Sequence, residues 1–183
     1  MADAGITRAD LSGVAFGRGP GSFTGIRIAI SVAQGIALGL DLPVCGISSL
    51  QGMAQAALTA ANEQRVLVLM DAHMGEVFWG AYEMQNGTCV PVGDEKVGSP
   101  EACLKDIAVW DGIVAGEGLQ LMHFAECDQT WANLRPEARS MSPLALNAWN
   151  NGLFGDAAEH PPVYLRNSVA WKKLDEQPSL LKR

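Results

Sequence analysis

The sequence predicts an α/β protein built on mixed β-sheet, and three observations carry that prediction. Residues 14 to 61 run strand, helix, strand, helix. Residues 65 to 92 then hold three strand-like runs joined by short turns, a pattern of antiparallel pairing. The chain has 183 residues, 48% hydrophobic and 18% charged, which is globular composition and length enough for one domain or two small lobes with a real core.

Each element follows from its residues. Val14, Ala15 and Phe16 form a short apolar run ended by Gly17, a buried strand that feeds the glycine-rich loop GRGPGSFTG at 17 to 25. A helix is predicted from Phe23 to Leu40 with its cap at Ser22 or Thr24. Ile26, Ile30, Ala33, Ala37 and Leu40 keep three-to-four spacing, while Ile28, Val32, Ile36 and Leu38 fill the rest of the circumference. A helix apolar nearly all round needs partners on two sides. Residues 42 to 47 read as a second buried strand, and Ser48 or Ser49 can cap a helix through Leu50, Met53, Ala57 and Ala61. Strands are predicted at 65–71, 76–83 and 88–92, the last two joined by Asn86 and Gly87. A helix over 100–107 with proline in its first turn, a strand at 113–115 and helices over 118–125 and 143–154 complete the reading. Pro161 and Pro162 forbid a helix through 158–167, which reads as an extended segment crossing the surface before a mobile terminus.

Composition narrows the function classes. The net charge of −7 argues against a broad phosphate-backbone footprint, which needs clustered Lys and Arg. If the protein works on RNA, something else holds most of the RNA. The longest apolar stretch, Ile26 to Leu40, is broken by Arg27, Ser31 and Gln34, so no membrane span is expected. The opening residues lack the basic and apolar regions of a signal peptide, and the expected location is the cytoplasm. Cys45, Cys89, Cys103 and Cys127 form no CxxC pair and read as reduced, mostly buried small hydrophobes.

The glycine-rich loop is the strongest chemical signal. Glycines at 17, 19, 21 and 25 permit close backbone approach, and the free amides of the following helix make an anion-favouring pole. The loop lacks the lysine of a Walker loop and does not match GxGxxG, so ligand binding and a purely structural turn both stand. Arg27 has two readings, a phosphate or carboxylate partner beside the loop, or a snorkelling arginine or partner of Asp71, and the second is favoured. Ser22 and Thr24 are helix caps first and ligand contacts second. Asp71, His73 and Glu76 flank one tight connection, where a capping turn outweighs metal or acid-base work, because His123 and His160 lie in unrelated contexts and no zinc spacing is present. No cysteine sits in a setting that would activate it. Tyr164, Arg166, Trp171, Lys172 and Lys173 interleave aromatic and basic side chains, which suits stacking on bases or docking a partner; a tail strapped across its own domain is the favoured alternative.

Three blocks together, GRGPGSFTGIRI with AQGIA at 33 to 37, MDAHMGEVFW at 70 to 79 and VYLRNSVAWKK at 163 to 173, resemble the TsaB (YeaZ) family in that order. The first block, followed by PVCGISSL at 43 to 50, is the most specific. The resemblance implies the actin-like, sugar-kinase-like ATPase fold, with mixed sheets flanked by helices in two lobes. Family members open with further strands and a long helix before the equivalent of Leu11, so the first lobe is expected to be truncated here. The expected division is a remainder of the first lobe at 1–62, a second lobe at 63–165 and a basic, aromatic tail, partly disordered, at 166–183.

For function, the resemblance implies a non-catalytic partner of TsaD, with the ATPase TsaE, in transfer of threonylcarbamoyl to the tRNA adenosine beside the anticodon. It also implies a homodimer, contact with tRNA only through the complex, no metal, and no cofactor beyond weak ATP or ADP binding at a complex interface. In the family the helix after the glycine loop and the long helix that precedes it build these interfaces. Ile26, Ile30, Ala33 and Ala37 therefore receive a packing or interface role, with Ala29 and Gly35 allowing close approach, and Gly19, Gly21, Ser22 and Thr24 are the candidates for any nucleotide or anion contact. The competing readings are a peptidase-like enzyme and an autonomous ATP-dependent phosphotransferase; both need a nucleophile, base or metal set that the spacing does not supply.

Overall fold

A computed structural model describes residues 5–122 and 129–166; His123, Cys127, Trp171, Lys172 and Lys173 lie outside them. The chain forms two sheets that share one buried helix. Strand β1 (Val14–Gly19) pairs in parallel with β2 (Val44–Ser48), and α1 (Phe23–Leu40) makes the crossover. The Ser22 hydroxyl caps α1 by accepting from Gly25 N–H at 3.3 Å, and Asp41 ends it in the left-handed region at φ 52°. Strand β1 runs three residues past Phe16, because Gly17 and Gly19 continue the pairing with Ile47 and Ser48 across an irregularity in register.

Helix α2 (Ser49–Ala61) is capped by Ser48, which accepts from Gln51 N–H at 3.2 Å. Leu50, Met53, Ala54 and Ala57 are fully buried because α2 lies between the two sheets, touching Cys45 and Ile47 on one side and Val66, Val68 and Tyr82 on the other. The only polar side chain buried mid-helix, among the described residues, is Gln55, and both ends of its amide are used: Oε1 accepts from Cys89 N–H at 2.8 Å and Nε2 donates to Gly87 O at 3.2 Å.

The second sheet holds β3 (Arg65–His73), β4 (Glu76–Gln85), β5 (Thr88–Pro91), β6 (Lys96–Gly98) and β7 (Ile113–Ala115). Its order is β5-β4-β3-β7, with β6 also on β4, and only the β3–β7 pair is parallel. Alternation along β3 sends Val66, Val68 and Met70 toward α2, and Leu67 and Leu69 toward α3 (Pro100–Ile107) and the 3-10 turn Glu117–Leu121. Gly116 crosses β3 so closely that a Cβ would lie 1.9 Å from Leu69 O, and only glycine fits there.

Beyond shifts of up to three residues at strand ends, four elements differ from the predicted ones. Lys96–Gly98 is a strand too short to show a period. The helix expected from 118 is the 3-10 turn Glu117–Leu121, followed after the undescribed stretch by α4 (Gln129–Ala132). Helix α5 (Ala138–Asn150) starts five residues before Pro143, which the helix holds on an exposed side at the loss of one backbone bond to Arg139. The segment expected to be extended from 158 begins with a 3-10 turn, Ala157–Glu159, and leaves regular structure only at Pro161. Helix α5 returns to the first sheet, where Leu144 and Ala148 join the cluster of α2 and β2.

Candidate functional site

The three sequence blocks, spread from residue 17 to residue 166, meet at one place. A cavity of about 450 Å³ opens where the glycine loop, the β3–β4 connection and the C-terminal segment converge. The start of α1 supplies Gly21, Ser22, Phe23 and Arg27; the end of β3 supplies Ala72 and His73; β4 supplies Phe78; residues 163–166 close the remaining side.

The closing segment is fastened at each step. Gly46 N–H donates to His160 Nδ1 at 3.3 Å, and Val163 N–H donates to Arg18 O at 2.9 Å. Tyr164 accepts from Arg27 Nε at 3.2 Å and lies 6.0 Å from the Phe23 ring, over which the Arg27 guanidinium sits at 3.6 Å. Arg166 donates to Ala72 O at 3.1 Å and His73 O at 3.4 Å and pairs with the Glu76 carboxylate. Of the readings for the C-terminal stretch, the described part is a strap across the protein's own two sheets. Arg27 joins that strap rather than Asp71.

Asp71 instead caps its own turn, accepting from His73 N–H at 2.7 Å, while His73 and Met74 take left-handed φ values of 60° and 59°. Glu76 faces Arg166. Among the described residues no group of three or more His, Cys, Asp or Glu side chains is placed to hold a metal ion. The cavity thus offers the Arg27 and Arg166 guanidinium groups, amides at the start of α1 and aromatic walls, the means to bind, while of its two hydroxyls Ser22 accepts the α1 cap bond and Tyr164 accepts from Arg27.

The candidate contact residues separate. Gly21 and Ser22 line the cavity. Gly19 does not: its side is filled by Ile26 Cδ1 and Val163 O, which a Cβ would meet at 2.8 and 3.1 Å. Thr24 faces outward onto a groove shared with Ile28, Ser31 and Val32. Ile26, Ile30, Ala33 and Ala37 are all buried against Phe16 and Val44, so of packing and interface they perform packing. The opposite crest of α1 is unpartnered among the described residues, with Ile28 60% and Leu38 87% exposed, Ser31 and Gly35 between them and Gly39 just beyond. By length and composition α1 could cross a membrane, and only its line of Ile26, Ile30, Ala33 and Ala37 is packed on β1 and β2.

One junction has no signature in the sequence. The Glu95 carboxylate accepts from Ser48 Oγ, at the start of α2, and from Tyr82 Oη at 2.6 Å, on β4. Burial, and after it the Glu95 charge, push the Tyr82 hydroxyl well above its ordinary range, so it stays a donor. Residues 48, 82 and 95 are far apart in the chain, and no local pattern unites them.

Two α/β sheets around a shared helix, with a glycine-rich loop opening on a cleft between them, define the class, and the family model described as TsaD: tRNA N6-adenosine threonylcarbamoyltransferase matches residues 1–151. The tRNA threonylcarbamoyladenosine biosynthesis protein TsaB of Escherichia coli (strain K12) is 38% identical over 95% of this chain and 79% of its own length. TsaB of Haemophilus influenzae is 35% identical over 95% and 78%. The solved structure described as YeaZ from Pseudomonas aeruginosa superposes with a TM-score of 0.79 at 38% identity, covering 90% of this chain and 79% of that one. A second Pseudomonas aeruginosa structure, described as an uncharacterized protein with similarity to peptidase YEAZ, gives 0.79 at 40% identity, covering 90% and 78%. The chain belongs to the TsaB (YeaZ) family.

Proposed function

We propose that this chain serves tRNA threonylcarbamoyladenosine biosynthesis in the cytoplasm as a non-catalytic partner of a TsaD subunit, with TsaE joining the pair. The observation that carries the reading is the crest of α1. Ile28 and Leu38 stand in solvent, and Ser31 and Gly35 between them, with Gly39 just beyond, let another helix approach closely. A Cβ at Gly35 or Gly39 would meet nothing within 4 Å, so the space is open. The TsaB relatives are named for the pathway, tRNA threonylcarbamoyladenosine biosynthesis. The net charge of −7 supports contact with tRNA only through the complex. Gly21 and Ser22 are the residues positioned for any residual nucleotide contact, and no cofactor is required by this role.

The test is light scattering after size exclusion of the chain mixed with its cognate TsaD, then tRNA modification with TsaE and threonylcarbamoyl-adenylate supplied. The unaltered chain is expected to form a complex and support modification, Ile28→Glu to lose both, and the chain alone to turn over no ATP. Absence of a complex, or modification of equal rate without this chain, would overturn the reading.

A further inference from the structure

The face of the second sheet turned away from α2 carries a cavity that neither α1 nor the glycine loop enters. Its floor is Leu67 and Ala81, paired in register on β3 and β4, with Trp79 beside them. Asp106 near the end of α3, Trp110 just beyond it, and Asp94 and Lys96 at the start of β6 supply the walls. The cavity holds about 210 Å³, below the roughly 300 Å³ at which small-molecule sites begin, and is sized for a single side chain.

Every side-chain donor on these walls is engaged. Trp79 Nε1–H and Lys96 Nζ both donate to Asp106 Oδ2, at 2.7 and 2.8 Å, and Trp110 Nε1–H donates to Ile113 O at 3.3 Å. The acceptors are not: Asp94 and Asp106 Oδ1 have no partner among the described residues. The bonds from Lys96 and, after it, from Trp79 hold the Asp106 carboxyl below its ordinary range, so it is ionised at neutral pH. Helix α3 also ends here, with the carbonyl pole that favours positive charge. Open carboxylates beside indole rings, with no free side-chain donor, suit a cation and not an anion. Within the chain the Trp110 ring already meets one, with Arg65 Cζ at 4.4 Å from its centre.

We propose that this cavity receives an arginine side chain of a protein partner, its planar guanidinium lying against the indoles and donating to Asp106 Oδ1 and Asp94. A lysine ammonium is a point charge that competes with Lys96 for Asp106, whereas the guanidinium fork reaches two carboxylates at once. The rim explains why the arginine comes on a polypeptide. Val92 is 38% and Val109 84% exposed, and neighbouring side chains of a partner would cover them. Free arginine would leave them in water and bring its own carboxylate toward Asp94. The net charge of −7 draws a basic segment in. The site lies on the second sheet, apart from the crest of α1, so it does not rest on the reading of TsaD docking.

Titration of the isotope-labelled full chain with an end-capped Leu-Arg-Leu peptide, followed through the tryptophan indole N–H resonances, tests this. The Trp79 and Trp110 signals are expected to shift saturably. Binding should be about tenfold weaker for the citrulline counterpart, which keeps the shape and loses the charge, and weaker also for the lysine counterpart and for free arginine. Asp106→Asn should lose about tenfold in affinity, while Asp156→Asn, a carboxylate change on the far sheet, should lose nothing. The exposed Asp94→Asn removes no bond of the fold, should lose about threefold, and decides if Asp106→Asn does not fold. Absence of a saturable shift overturns the proposal. So does undiminished affinity for the citrulline or lysine peptide, for free arginine, or in Asp94→Asn.

Discussion

Cys45, Cys89 and Cys103 show how a residue's setting decides its chemistry. All three are buried free thiols. Burial pushes Cys89 and Cys103 up to about 12, and it raises Cys45 although the nearby Arg18 charge opposes the rise. A group so far above neutral pH supplies almost no thiolate, so these cysteines pack and do not react. In a Cys127→Ser background, a disulfide reagent at pH 8 is expected to label no thiol of the folded chain and all three once it is unfolded; fast labelling of the native protein would contradict the burial. That these side chains are buried small hydrophobes was legible from their isolation in the sequence. The roles of Arg27 and Arg166 were not, since the Tyr164 hydroxyl and the Ala72 and His73 carbonyls that hold them are more than ninety positions away.

Among the elements, α1 was the most legible, with bounds of Phe23 to Leu40 in both sequence and structure, because a glycine loop, a serine cap and eighteen residues without an internal proline leave few alternatives. Helix α5 was misplaced because Pro143 reads as a start, whereas packing of Leu144 and Ala148 against α2 outweighs the one lost backbone bond. Ser48 illustrates an element end with two tasks. It caps α2 and donates to the half-buried Glu95, whereas Ser99 caps α3 and meets only the exposed Glu101 carboxylate, a bond that water replaces. Ser48→Ala should therefore destabilise the protein by about 2 kcal/mol, lowering Tm by roughly 4–8 °C, against about 1 kcal/mol for Ser99→Ala. Equal losses for the two in thermal unfolding would show that the Glu95 bond contributes nothing.

At the scale of the whole molecule, the two sheets are held as one body. Helix α2 is buried between them, α5 returns from the second part of the chain to the first sheet, and Ser48–Glu95–Tyr82 and the strap from His160 to Arg166 join them at separate places. Unfolding in urea is expected to be a single transition. Tryptophan fluorescence, to which Trp79, Trp110 and Trp131 around the second sheet and Trp149 beside the first contribute, should coincide with far-ultraviolet circular dichroism, which includes α1 and α2. Two separated transitions would mean that the sheets unfold independently and that these links are too weak to couple them.

The sequence by itself determined the local elements and the family, because caps, periodicity and glycine motifs act within a few residues of one another. It could also show that α1 is apolar on too many sides to be covered by one sheet. Which side is covered, and so which residues pack and which stay in solvent, was decided only by the tertiary structure: Ile26, Ile30, Ala33 and Ala37 face β1 and β2, and Ile28, Val32, Ile36 and Leu38 face water. The physical reason is that periodicity defines the faces of a helix relative to one another, while their direction depends on where β1 and β2 lie. The cleft that gathers Gly21, Arg27, His73 and Arg166 is likewise a product of long-range closure, since its walls come from both ends of the chain and share no local pattern.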